Sequence, residues 1–323
     1  MTNGRKIFPI GLQPTHSLAE AGKRVLGYHF HNFLKYEEAV RADENIEALH
    51  DMRVATRQMR AAIRIFGQGF TPGALKFLKS GLKKTAKALG SVRDLDVFIE
   101  KFTVYQHEFS PDERAELAPL LEYCQLQRDR ARTELLTHFD SKTYKRFKAG
   151  TTVFVKKEGD GIRPIPLSKP IRYQIRHVVS SLIYSHYEAL RGYEPFLANA
   201  SVELLHQLRI DAKHFRYAVE NFQEILGRES AMVIAEIKQI QNHLGDLNDA
   251  EVACQFLENF LNHWKTYRRE LTSVQSKKPV AITRYFEVKI EEKEQLLATF
   301  PEAWHQFNST QLRHHLALAI AVL

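Results

Sequence analysis

Residues 49–66 read LHDMRVATRQMRAAIRIF, and residues 205–222 read LHQLRIDAKHFRYAVENF. Aligning them sets His50, Arg53, Arg57, Arg60 and Phe66 against His206, Arg209, Lys213, Arg216 and Phe222, all at the offset of 156 that separates His50 from His206. Downstream, LGSVRDLDV from Leu89 meets LGDLNDAEV from Leu244 at an offset of 155. Two matches in one order at almost one spacing mark an internal duplication. Both stretches carry apolar residues three and four apart, the period of a packed helix.

At about 100° per residue, His50, Arg53, Arg57, Arg60 and Arg64 fall within an arc of about 80°. Val54, Ala61 and Ile65 border that arc on one edge, and Leu49, Met52, Met59 and Ile63 on the other. Asp51, Ala55, Gln58 and Ala62 form the opposite strip, which is expected to face water. Packing both apolar edges would then aim the cations into an interior groove. The second copy repeats the wheel: His206, Arg209, Lys213 and Arg216 lie between Ile210 and Tyr217 on one edge and Leu205, Leu208 and Val219 on the other. Its expected outer strip is Gln207, Asp211, His214 and Ala218, and Glu220 stands where the first copy has Arg64.

The segment GALKFLKSGLKKTAKALG, residues 73–90, puts Lys76, Lys79, Lys83 and Lys87 on one arc, with Lys84 off that line. Its counterpart MVIAEIKQIQNHLG, residues 232–245, keeps only Lys238, at the position of Lys83. Asp94, Asp96, Asp249 and Glu251 follow the two Leu-Gly pairs, which read as turns, so these acids are expected to start helices and to orient a few arginines. They are too few to neutralise the stripe. Grouped guanidinium groups without counter-charge cost several kcal/mol per ion, so an external polyanion is the expected partner.

The bulk composition fits this reading. The chain has 323 residues, 44% hydrophobic and 11% aromatic, enough to fold around a sizeable core. Lys plus Arg number 46 against 38 acids, a net +8 whose clustering points to nucleic acid, an anionic membrane or a phosphate polymer. Cys124 and Cys254 have no CxxC spacing and read as thiols in a reducing cytosol. The N-terminal residues lack an apolar signal core, and LALAIAVL at the C-terminus is too short to span a bilayer, so the expected location is cytoplasmic. Helical periodicity over residues 17–42, 74–89, 112–139 and 171–191 predicts an all-α protein. The Gly- and Pro-rich segment GTTVFVKKEGDGIRPIPLSKP, residues 150–170, is expected to be helix-free. The expected organisation is an N-terminal extension (1–16), a first helical repeat (17–150), a linker (151–170) and a second repeat (171–323).

HxxRVxxRxxR followed by LGxxRDLDV, doubled in one helical chain, resembles the CHAD family, the conserved histidine α-helical domain. The resemblance runs from about Ser17 to the end. It implies two pseudo-twofold-related four-helix bundles enclosing a central basic groove or pore. It also implies binding of inorganic polyphosphate without catalysis; no cofactor or metal is expected, and the ligand in turn points to association with polyphosphate granules. The matching positions are His50, Arg53, Arg57, Arg60, Lys83, Lys87 and Arg93, with His206, Arg209, Lys213, Arg216 and Lys238 in the second half. Asn248 departs from the pattern at the position of Arg93, which sets the two halves apart. Polyphosphate suits such a lining: it offers anionic oxygens to Arg forks and Lys point charges, and has no bases to read.

Secondary candidates are Arg64, Lys76, Lys79, Lys84, Arg24, Arg172, Arg176, Arg128 and Arg132, for each of which a solvated helix face is the plain alternative. Two other functions compete. A nucleic-acid-binding protein would suit the charge, but the basic arc lacks interleaved aromatics for stacking. A His-dependent phosphohydrolase or metal-binding protein lacks support, because His at i with Arg at i+3 is no metal motif and no GxxxxGK[ST] loop occurs.

Overall fold

The structure is a computed structural model that describes residues 10–107, 109–164, 173–267, 269 and 280–323. The chain is all-α. The first half contains α1 (Leu18–Ala42), α2 (Ile46–Phe66), α3 (Lys76–Gln106), α4 (Pro111–Asp140) and α5 (Lys142–Lys156). The second contains α6 (Ile175–Arg191), α7 (Val202–Phe222), α8 (Ser230–Asn262), the single turn α9 (Trp264–Tyr267), α10 (Val280–Phe307) and α11 (Thr310–Ile320).

Many helix starts are legible as caps. Ser17 and Glu20 form a reciprocal capping box at α1, and the side chains of Asn45, Ser141, Ser201 and Ser309 accept from backbone N–H groups of α2, α5, α7 and α11. Neighbours in sequence also pack alike in the two halves: α2 lies on α1 and α3 as α7 lies on α6 and α8, and α3 meets α4 as α8 meets α10. Ion pairs repeat as well. Asp96 on α3 accepts from Arg128 on α4 at 2.6 Å, and Glu251, 155 residues after Asp96, meets Lys293 on α10 at 3.2 Å.

The halves join at two seams. In the main core α2 crosses α7, and the rings of Phe66 and Phe222, matched positions of the duplication, meet edge-on at 5.2 Å. A second apolar cluster gathers Phe102 and Leu120 of the first half with Leu257, Phe260 and Tyr285 of the second. Within it the Phe102 and Tyr285 rings lie 5.0 Å apart.

Three expectations fail here. On α2 the strip opposite the arginines does not face water: Ala55 and Ala62 are buried, and Gln58 donates to Glu220 of α7 at 3.1 Å. On α7 the expected outer strip is mixed, with Ala218 buried, Asp211 and His214 half-buried and Gln207 exposed. Neither Leu-Gly pair is a turn, because α3 and α8 pass unbroken through Gly90 and Gly245. Asp94, Asp96, Asp249 and Glu251 therefore act from mid-helix, as ion-pair partners and not as caps. Finally, α5 continues to Lys156, so Thr151–Lys156 belongs to a helix and not to the linker. Thr151 and Phe154 are buried there, and core packing outweighs the local Gly signal. Residues 165–172 of the linker lie outside the described residues.

Gly81 marks the tightest helix contact: a Cβ there would sit 2.2 Å from Cδ2 of Phe147 on α5. Gly81→Ala gains helix propensity of roughly 1 kcal/mol but overpacks a buried ring, at about 1–3 kcal/mol. Thermal denaturation should show a net loss of stability; a higher Tm would mean that α3 and α5 are not packed this closely.

Candidate functional site

With their apolar edges packed in the core, α2 and α7 carry the stripe on a face that remains partly open. Arg53 and Arg57 from α2 and Arg209, Lys213 and Arg216 from α7 are all half-buried. They crowd one another: Lys213 is under the charge of Arg209, Arg57, Arg53 and Arg216, and Arg209 under that of Arg53 and Arg57. Arg53 and Arg209 are matched positions of the duplication, as are Arg57 and Lys213. Equivalent cations thus face each other across the helix crossing.

Counter-charge is sparse. Asp94 of α3 meets Arg53 at 3.2 Å, and Glu220 approaches Arg216 at 3.6 Å. Asp249, the counterpart of Asp94, lies near Arg209 but is held at 2.9 Å by Lys101 of α3. The guanidinium of Arg216 also rests over the Tyr217 ring at 5.2 Å. Nε of Arg57, Arg209 and Arg216 and Nη1 of Arg93 are buried and make no hydrogen bond among the described residues, Arg216 Nε having only the longer ion pair to Glu220. Four cationic donors without hydrogen bonds in one place are costly to fold unless the site has another use for them.

The electrostatics of the titratable groups follow. Burial, then the four surrounding arginines, bring Lys213 down to about 7 from its ordinary value. Burial lowers Arg53 and Arg209 as well, partly offset by Asp94 and Asp249. His50 is lowered by burial first and then by Arg93 and Arg57, which favours neutral imidazole in the free protein. His206 differs: its Nδ1 lies 2.7 Å from Oδ1 of Asn248, so the second half puts a hydrogen-bond partner where the first puts the charge of Arg93.

Other candidates distribute unevenly. Arg60 and Arg64 are exposed, against the expectation of an enclosed row. Arg64 also feels Asp211 and bears on His186 and His214, away from Lys213. Lys83 and Lys87 are exposed on α3, and Lys238 on α8. Lys84 turns toward His138 of α4. Lys76 and Lys79 line a separate cavity of about 510 Å³ with Arg163, a residue that sequence reasoning missed because it sits in the Gly/Pro-rich linker.

Arg128 and Arg132 are not at the stripe. Arg128 bridges Asp96 and Asp43, and Arg132 bonds the carbonyls of Val40 and Arg41, so both clamp α4 to the α1–α2 corner. Arg24 is exposed beside His16 and Glu20 at the start of α1. Arg176 bonds Gln174 at the start of α6. Arg172 lies outside the described residues.

Known proteins carry the same architecture. The model of the CHAD domain family matches residues 24–258. The CHAD domain from the plant Ricinus communis is similar at 20% identity and a TM-score of 0.63, over 97% of both chains. PptA from Streptomyces chartreusis is similar at 15% identity and a TM-score of 0.66, over 90% of this chain and 99% of that one. No curated protein matches.

The charge crowding has a measurable consequence. The folded-state value of Lys213 lies below its unfolded one, so its cost to stability is complete below about 7 and vanishes above about 10.4. Lys213→Met should therefore raise Tm, by about 2 °C per ~1 kcal/mol relieved, and more at about pH 6 than at about pH 9. A fall in Tm at the lower pH would refute like-charge stress at this position.

Proposed function

The chain belongs to the CHAD domain family, and we propose that it binds inorganic polyphosphate in a basic groove between two helical repeats related by an approximate twofold axis. The carrying observation is the set of buried guanidinium atoms on Arg57, Arg93, Arg209 and Arg216 that make no hydrogen bond among the described residues. Phosphate oxygens supply the missing acceptors and the missing counter-charge together, with charge-assisted hydrogen bonds stronger than neutral ones. The chief contacts are Arg53, Arg57, Arg60, Arg209, Lys213 and Arg216, joined by Arg93, Lys83, Lys87 and Lys238. His50 and His206 donate to phosphate oxygens, more strongly once protonated.

The role is binding without turnover. Arginine stays protonated throughout, and Lys213, though brought down to about 7, is surrounded by arginines and not by a carboxylate or histidine that could complete an acid–base pair. Phosphate chains are also favoured over RNA, because the facing residues on α2 and α7 present charge while Tyr217 is buried beneath it. We place this binding in the cytoplasm, at polyphosphate deposits. No described helix is long and apolar enough to cross a membrane.

Calorimetry with long-chain polyphosphate checks the reading. Arg57→Glu with Arg60→Glu should weaken binding at least a hundredfold, while circular dichroism stays unchanged. Affinity should fall steeply with salt, each phosphate contact adding about 0.7–0.9 to the slope of log K against log salt. Retained affinity in the double variant would show that ligand sits elsewhere. Single-stranded RNA displacing polyphosphate at equal phosphate concentration would reverse the choice of ligand, and steady phosphate release abolished by His50→Ala would make the protein an enzyme.

A further inference from the structure

We propose that the bound phosphate chain leaves the groove along one wall only, over the lysine face of α3, and that Lys76, Lys79 and Arg163 hold its far end; this rests on the polyphosphate reading above. Residues 67–93 contain no Asp or Glu. The lysines at 76, 79, 83, 84 and 87 within that stretch are all exposed, and among the described residues none forms an ion pair. A row of cations on a solvated helix usually carries acids three or four residues away to neutralise it. This one carries none.

The row is aligned with the groove. Asp94 marks the face of α3 that meets α2, through its bond to Arg53. At about 100° per residue, Lys87, Lys83 and Lys76 fall within about 20° of Asp94, and Lys79 about 60° away. As α2 and α3 form an antiparallel hairpin, Lys87 comes level with Arg60 and Lys83 with Arg64, the two stripe arginines that are exposed. The cationic track thus continues from the groove for about 27 Å, the rise of the helix from Asp94 back to Lys76.

It ends in the cavity of about 510 Å³ that Lys76, Lys79 and Arg163 share with Phe70 and Thr71. The linker is stapled to the α2–α3 connection at this point: Arg163 N–H donates to the Gly69 carbonyl at 2.9 Å, and Thr71 N–H to the Gly161 carbonyl at 2.8 Å. Those two bonds fix the backbone that presents Arg163 beside the lysines.

The opposite wall has no such track. At the offset of 155, Lys76, Lys79, Lys83, Lys84 and Lys87 correspond to Ala231, Ile234, Lys238, Gln239 and Asn242 on α8, leaving one cation. One turn on stands Asp246, whose carboxyl is raised by burial and by Asp249 and Glu292 against the opposing charge of Lys101. A polyanion leaving over α8 would pass these acids first and then a single lysine. Over α3, once past Asp94, the charges it meets are all positive.

Binding of tripolyphosphate and of long-chain polyphosphate, compared by calorimetry, tests the path, since only the long chain can reach both ends. The triple variant Lys76→Glu, Lys79→Glu, Arg163→Glu should cut the affinity advantage of the long chain over tripolyphosphate at least tenfold. Its salt slope for the long chain should fall by about two, at roughly 0.7 per lost contact. The corresponding glutamine variant should lie between it and the wild type, and Gln239→Glu with Asn242→Glu on α8 should leave the advantage intact. An unchanged advantage in the triple variant, or an equal loss in the α8 variant, overturns the one-sided path. A wild-type protein that binds neither ligand overturns the polyphosphate reading itself, and this inference with it.

Discussion

Like charges stay crowded only where other contacts hold them together, and the crossing of α2 over α7 is where this protein concentrates them. Met52, Ala55, Met59 and Ala62 of α2 and Phe215, Ala218 and Phe222 of α7 are buried, and their apolar contacts keep the helices in place. Arg53, Arg57, Arg209, Lys213 and Arg216 then have nowhere to go but the shared open edge. The lowered Lys213 and the guanidinium atoms without hydrogen bonds are symptoms of that imposed proximity. Under the proposed function, a cluster already gathered by folding would bind an anion without first having to assemble its cations, which is the general advantage of a preorganised site.

The supporting contacts explain why the cluster does not spring apart. Arg128 and Arg132 tie α4 to Asp43, Asp96 and the end of α1, and Glu37 accepts from Tyr144, Lys148 and Arg41. These pairs tie α1, α3, α4 and α5 of the first half to one another. Glu251 and Lys293 do similar work between α8 and α10. Cations of one composition thus play different parts: Arg128 and Lys148 brace the scaffold through carboxylates, whereas the stripe cations outnumber Asp94 and Glu220, the carboxylates that pair with them.

Duplication set up the groove, and divergence made it lopsided. Arg64 against Glu220, Arg93 against Asn248, and the α3 lysines against the neutral α8 face all shift positive charge to the first half. His206 gained a hydrogen bond to Asn248 in the exchange, whereas His50 kept a charged neighbour. The two histidines share a sequence position but not a set of neighbours.

Sequence by itself determined the helical class, the duplication, and the membership of the cationic stripe, since a period near 3.6 and a repeated spacing are properties of the chain alone. It also separated the two halves by their lysines. It misjudged which side of α2 is wet, because a short alanine strip looks the same on paper whether it meets water or another helix. It misread Leu89-Gly90 and Leu244-Gly245 as turns, because a glycine inside a long packed helix is tolerated when its neighbours are buried. Only the tertiary structure could decide that Arg53 faces Arg209, that Arg128 belongs to a clamp, and that Arg163 returns to the α3 lysines. Each of these joins residues far apart in the chain, and such pairings follow from how helices pack, which local periodicity does not encode.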